Sequence, residues 1–240
     1  MTVYLVGAGP GDPGLLTVRG AQLIASAAVV VYDRLTSAEI LALAQPDAEM
    51  IDVGKRAGYV TMPQSDINQV LVDRGLTGAS VVRLKGGDPY VFGRGGEEAA
   101  ALLEAGVAFE NIPGITSAIA APAAAGIPVT LRNEALSFTV VTGHEDPGSA
   151  QVNWEALAQT GGTIVILMGV GRIAKIAARL LAGGLAPQTP VAAIRWGTTP
   201  QQEVMRTTLA EVGTAGLESP STIVVGNVAS LDLLHRQPGQ

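Results

Sequence analysis

Two residues of opposite charge, Asp33 and Lys55, and a glycine run from Gly86 to Gly96 carry the residue types from which chemistry could be built. Asp33 follows the β-branched stretch Val29-Val30-Val31-Tyr32, and Lys55 follows Met50-Ile51-Asp52-Val53-Gly54, so each is expected where a strand ends. A carboxylate and an ammonium at adjacent strand ends can act as proton acceptor and proton donor if burial and mutual charge tune them. They suit a structural ion pair equally well. The stretch Gly86-Gly87-Asp88-Pro89-Tyr90-Val91-Phe92-Gly93-Arg94-Gly95-Gly96 lies between the apolar run Val81-Val82-Arg83-Leu84-Lys85 and a helical segment, Glu97 to Leu103. Its glycines lack Cβ and let a ligand lie directly on the backbone, while Asp88 and Arg94 offer one charge of each sign. Ligands of open α/β sheets bind at that edge, beyond the carboxyl ends of the strands.

A second glycine loop, Gly7-Ala8-Gly9-Pro10-Gly11-Asp12-Pro13-Gly14, follows the strand-like Val3-Tyr4-Leu5-Val6 and invites comparison with a dinucleotide fingerprint. A Gly-x-Gly-x-x-Gly loop presents N–H groups to a pyrophosphate. Here Pro10 has no N–H and Asp12 occupies the third glycine position. Asp33 nonetheless falls where a ribose-binding acid would stand, so a nicotinamide oxidoreductase is the runner-up class. No nucleophile and base are evident, since neither His144 nor His235 has a Ser or Cys partner in a nucleophile elbow. The two histidines stand far apart without carboxylates at metal-ligand spacing, and there is no cysteine, so no metal is expected. By residue type alone, Met168 reads as a core side chain.

Composition narrows the partners. Apolar residues make up 48% of the 240, charged residues 15% and aromatics 4%, with a formal charge of −6. That balance describes a folded chain, and few aromatics with a net negative charge argue against nucleic acid. No basic leader precedes Val3 and no apolar run approaches the ~18 residues of a membrane span, so a cytoplasmic protein without a membrane partner is expected.

Strand runs alternate with helical stripes along the chain, the pattern of a doubly wound α/β fold. A stripe of Leu16, Gly20, Leu23, Ile24 and Ala27 separates the first two strands, and Ile40, Leu41 and Leu43 suggest a short helix after Asp33. Thr61 and Gln64 are spaced as a capping box, with Pro63 tolerated in the first turn of the helix that buries Ile67, Val70 and Leu71. A segment of small residues, Ala118 to Ala125, suits close packing at a hinge. Strands then resume at Phe138 to Thr142, Thr163 to Met168, Pro190 to Arg195 and Thr222 to Val225. Ile173, Ile176, Ala177, Leu180 and Leu181 mark the clearest amphipathic helix, and a domain boundary is placed at Pro113.

Taken together, Gly7-Ala8-Gly9-Pro10-Gly11-Asp12-Pro13, Tyr32-Asp33-Arg34-Leu35, Val53-Gly54-Lys55-Arg56, Gly86-Gly87-Asp88-Pro89 with Phe92-Gly93-Arg94-Gly95, Pro113-Gly114-Ile115-Thr116-Ser117-Ala118 and Val141-Thr142-Gly143-His144 resemble the tetrapyrrole methylases. Tyr-Asp-Arg-Leu, Val-Gly-Lys-Arg and Phe-Gly-Arg-Gly are similar to the branch that C-methylates uroporphyrinogen III. The resemblance implies two α/β/α domains, 1–113 with a mostly parallel sheet and 114–240 with a mixed one, and a donor site in the cleft between them. It implies S-adenosylmethionine as methyl donor, S-adenosylhomocysteine as its product, a homodimer, and double methylation of uroporphyrinogen III to precorrin-2. Carried over position by position, Pro10, Gly86, Gly87, Asp88, Val91, Thr116, Ser117, Met168 and Gly197 would contact the donor. Asp33 would be the proton acceptor and Lys55 the proton donor. The sequence departs from the family where histidines are usual: those places hold Tyr59 or Val60, and Leu131. For the substrate's carboxylates, guanidinium chemistry points to Arg94 and Arg132, because an arginine grips a carboxylate with two parallel bonds.

Overall fold

A computed structural model describes residues 2–33, 36–54, 62–144 and 151–234, and divides the chain into two compact units, Met1–Thr116 and Ser117–Gln240. In the first unit the elements run β1 (Val3–Gly7), α1 (Val18–Ile24), β2 (Val29–Tyr32), α2 (Ala38–Leu41), β3 (Glu49–Asp52), α3 (Gln64–Leu76), β4 (Val81–Lys85), α4 (Gly95–Glu104) and β5 (Phe109–Ile112). The sheet order is β3-β2-β4-β1-β5, with every pair parallel. Both faces are covered, as parallel sheets require. Val3, Leu5, Val29, Val31 and Val81 pack on one face with Leu71 of α3 and Leu102 of α4, while Val6, Val30, Val82 and Leu84 pack on the other with Leu23 and Ile24 of α1 and Ile40 of α2. Period-two alternation divides the two sets.

Helix α3 begins later than the sequence implies. Gln64 is its first residue and Pro63, with ψ 153°, is the extended residue before it, so the expected proline in the first turn is corrected. The Gln64 amide turns to Asn68 Oδ1 at 2.9 Å and to Glu98 Oε1 at 3.4 Å. Thr61, the other half of the expected capping box, lies outside the described residues.

The second unit contains α5 (Ser117–Ala124), β6 (Phe138–Thr142), α6 (Trp154–Ala158), β7 (Thr163–Leu167), α7 (Ile173–Ala182), β8 (Pro190–Arg195), β9 (Glu203–Thr208) and β10 (Ser221–Val225). Its sheet order is β6-β7-β10-β8-β9. Strands β6 and β7 are parallel, whereas β10 runs antiparallel to both β7 and β8, and β9 runs antiparallel to β8. Trp154 and Leu180 anchor the core beneath α6 and α7 together with Ile164, Ile166, Val191 and Ile223. Ala121 and Ala125 of α5 pack on the opposite face against Ala192, Ile194 and Val224. Small residues let α5 sit close to the sheet, which is where the alanine run is used.

Candidate active site

All five strands of the first sheet point the same way, so their carboxyl ends form one edge. At that edge the loops after β1, β4 and β5 are pressed together. A Cβ added to Gly7 would lie 2.5 Å from Gly114 Cα and 2.6 Å from the Gly87 carbonyl oxygen, so no side chain fits. Gly9 and Gly87 bond each other through both amides, at 3.2 and 2.7 Å, and their φ angles of 75° and 67° are the left-handed values that favour glycine. Asp88 fastens the assembly from the side: one carboxylate oxygen accepts from Tyr90 N–H at 2.8 Å and the other from Gly114 N–H at 3.0 Å. Its carboxylate is thus a latch between two loops. What this edge presents to a ligand is a backbone surface, with Pro10, Gly86, Gly87, Val91 and Thr116 all partly buried along it.

The first glycine loop does not make an anion site. Asp12 caps the short turn that follows it, accepting from Gly14 N–H at 2.7 Å, so a carboxylate stands where a pyrophosphate would need donors.

Strand β4 carries Val81, Arg83 and Lys85 on one face, and its register with β2 places Val31 beside Arg83, so Asp33 emerges on that same face one step further on. Arg83 Nη2 donates to both oxygens of Asp33, at 2.9 and 3.0 Å. Arg83 Nε donates to Glu98 Oε1 at 3.0 Å, and Lys85 Nζ donates to the same oxygen at 2.8 Å. Arg83, Lys85 and Glu98 are 2%, 3% and 0% exposed, whereas the Asp33 side chain retains 32% of its surface. Two cations and two anions are therefore gathered under the sheet edge, with one carboxylate open to a ligand. Desolvating such groups costs several kcal/mol per ion, offset only when each is paired. Burial first, and then the Arg83 guanidinium, push the Lys85 ammonium below the usual lysine range, with Glu98 acting in the opposite direction.

The structure thus ties Asp33 to Arg83. Lys55, the expected partner, lies outside the described residues. Arg83, Lys85 and Glu98 are not among the site residues expected from the sequence, although two bases inside the apolar run Val81 to Lys85 are a signal that the buried face of this strand has charges to satisfy. Arg94 lies at the start of α4 with φ 60°, and its guanidinium forks onto Glu97 at 2.8 and 2.7 Å on the surface. Arg132 is exposed in the second unit, in the turn closed by the Leu131 and Ala135 bridge.

In the second unit β6, β7 and β8 run in one direction, so Gly143, Met168 and Gly197 follow strand ends on a common edge. Met168 is 53% exposed and has φ 55°, which overturns its reading as a core residue. Trp196, 40% exposed, and Thr198 flank Gly197 at φ 48° and 73°. Non-glycine residues held in the left-handed region each cost about 1–3 kcal/mol and gather at ligand sites. A Cβ on Gly197 would come 2.5 Å from Ala121 Cβ of α5. Ser117 is the first residue of that helix. Among the described residues no group of three or more His, Cys, Asp or Glu could hold a metal ion, and no helix is long and apolar enough to cross a membrane.

The sequence profile of the tetrapyrrole (corrin/porphyrin) methylases matches residues 2–213. The chain is 53% identical to an S-adenosyl-L-methionine-dependent uroporphyrinogen III methyltransferase of Methanosarcina barkeri, over 98% of this chain and 95% of that one. It is 49% identical to a siroheme synthase of Chromobacterium violaceum, covering 95% of this chain but 50% of that protein. Among solved structures it is similar to uroporphyrin-III C-methyl transferase from Thermus thermophilus complexed with S-adenyl homocysteine, with 41% identity, a TM-score of 0.83, and 95% and 98% of the two chains covered.

Proposed function

Because the chain belongs to the tetrapyrrole (corrin/porphyrin) methylases, we propose that it transfers methyl groups from S-adenosylmethionine to two ring carbons of uroporphyrinogen III, yielding precorrin-2 for cobalamin and sirohaem synthesis. The observation that carries this reading is the near end-to-end identity of 53% with an enzyme of that name. The residues fit the donor. It has no phosphate, so a loop poor in N–H donors is no handicap, and backbone carbonyls suit its ammonium and hydroxyls. In this reading Pro10, Gly86, Gly87, Asp88, Val91 and Thr116 of the first unit and Ser117, Met168 and Gly197 of the second hold the donor. Asp88 does so through its backbone, since its carboxylate is committed to two amides.

Bound S-adenosylmethionine supplies an electrophilic methyl group on its sulfonium. The chain's part is to line up a pyrrole carbon behind that methyl and then to take up the proton that the alkylated ring must lose. Asp33, held by Arg83 yet 32% exposed, is suited to accept it. Lys55 serves as proton donor, and Arg94 and Arg132 grip the substrate's carboxylates, the former by exchanging its surface fork with Glu97 for the ligand. We assign the chain to the cytoplasm as a homodimer. The test is mass spectrometry of uroporphyrinogen III incubated with the protein and S-adenosylmethionine. A product two methyl groups heavier is expected; unchanged substrate despite normal donor binding would redirect the assignment to a different tetrapyrrole acceptor.

A further inference from the structure

Glu98 is the most deeply buried ionisable group described in the first unit, and the chemistry above does not use it. One of its oxygens accepts from Arg83 Nε, Lys85 Nζ and, at longer range, Gln64 Nε2. The other, Oε2, is buried without a hydrogen-bond partner among the described residues. A carboxylate in that position is a poor choice for stability, because desolvation is several kcal/mol per ion and apolar replacements of buried ion pairs are often neutral or stabilising. The geometry it imposes is specific. Arg83 has its Nε fixed by Glu98, its Nη1 by the Leu84 carbonyl at 3.2 Å and its Nη2 by Asp33, so the plane of the guanidinium has no remaining freedom. Lys85 balances the charge of Glu98. Its own carbonyl accepts from Ala8 N–H at 2.7 Å, at the point where the glycine loop begins.

We infer that Glu98 is a positioning residue for Asp33, acting through Arg83, and that Lys85 is the counter-cation that makes this buried carboxylate tolerable. The inference rests on the reading of Asp33 as proton acceptor. An aspartate displaced by a fraction of an ångström would still sit at the sheet edge, and donor binding would be unaffected, but the proton transfer would slow. Misplacement of about 1 Å in a catalytic array costs up to about a hundredfold in rate.

The test compares two charge-balanced double variants with wild type: Glu98→Leu/Lys85→Met, which removes the acceptor of Arg83 Nε, and Glu98→Gln/Lys85→Met, which retains one. Thermal unfolding reports folding, calorimetry with S-adenosylhomocysteine reports the donor site, and steady-state methylation of uroporphyrinogen III separates kcat from KM. The Leu-bearing variant is expected to bind S-adenosylhomocysteine as wild type does and to lose about tenfold to a hundredfold in kcat at little-changed KM. The Gln-bearing variant is expected to recover most of that loss. A folded Leu-bearing variant with wild-type kcat overturns the inference and leaves Glu98 a structural ion. Should that variant not fold, Glu98→Asp takes its place: it keeps the charge but withdraws it by one methylene, and wild-type kcat there is equally fatal. Asp33→Ala is assayed alongside, because retention of turnover in that variant would remove the Asp33 reading itself and this inference with it.

Discussion

Replacing Asp88 isolates the latch between the loops after β4 and β5. Its two carboxylate oxygens accept from Tyr90 N–H at 2.8 Å and Gly114 N–H at 3.0 Å, the first bond exposed and the second partly buried. Hydrogen bonds to a charged group contribute about 1.5–3 kcal/mol each, and the exposed one belongs at the bottom of that range or below because water replaces it. Asp88→Ala should therefore destabilise the protein by about 2–4 kcal/mol. Asp88→Asn should rescue little of this, since an amide offers one acceptor and turns its NH2 towards the second N–H. Gly114 is packed against Gly7 and Gly87 with no room for a side chain, so loss of its tether lets the backbone surface open. Donor affinity is then expected to fall with stability. Urea denaturation gives the first quantity and titration with S-adenosylhomocysteine the second. A loss of affinity with unchanged stability would mean that Asp88 acts on the donor directly, and an unimpaired Asn variant would refute the latch altogether.

Three further outcomes are expected. Asp33→Ala should lose about a hundredfold or more in methylation rate while its affinity for S-adenosylhomocysteine is maintained, by calorimetry and turnover on one preparation; loss of donor binding instead would mark Asp33 as a donor contact. Gly197→Ala brings a methyl group to 2.5 Å from Ala121 Cβ, so α5 must shift and stability should drop by about 1–3 kcal/mol, and the neighbouring, half-exposed Trp196 should change its emission against the constant contribution of the buried Trp154. Lys85 holds its proton less tightly folded than unfolded, so over the interval from its lowered folded pKa up to the ordinary 10.5 the unfolded state binds more protons and stability should rise with pH. Unfolding curves in that interval should lose this rise in Lys85→Met; an identical slope would show that Lys85 is not strained by burial.

The residues of this chain determine by themselves where strands stop and which loops carry the unusual side chains. Val3 to Val6 and Val29 to Tyr32 are β-branched or apolar without interruption and Val81 to Leu84 is broken only by Arg83, which is what a strand covered on both faces requires, and the glycines that follow the first and third of these runs mark where backbone approaches backbone. Strand direction is a different matter. Thr222 to Val225 reads the same whichever way it runs, because alternation encodes a face and not an orientation, so its antiparallel insertion between β7 and β8 was decided by packing. Strand β9, mostly polar and at the sheet edge, had only Val204 on its core side to announce it, and α6 is a short helix of five residues whose Trp154 is buried by the sheet and by α7 together. The pairing of Asp33 with Arg83 was equally hidden. Fifty residues separate them, and they meet because β2 lies next to β4 in the sheet, bringing one carboxylate and one guanidinium to the same face. Glu98 completes that site from a helix whose sequence offers two adjacent glutamates. Only the rotation of α4 against the sheet sends Glu98 inwards to the charges and leaves Glu97 on the surface with Arg94.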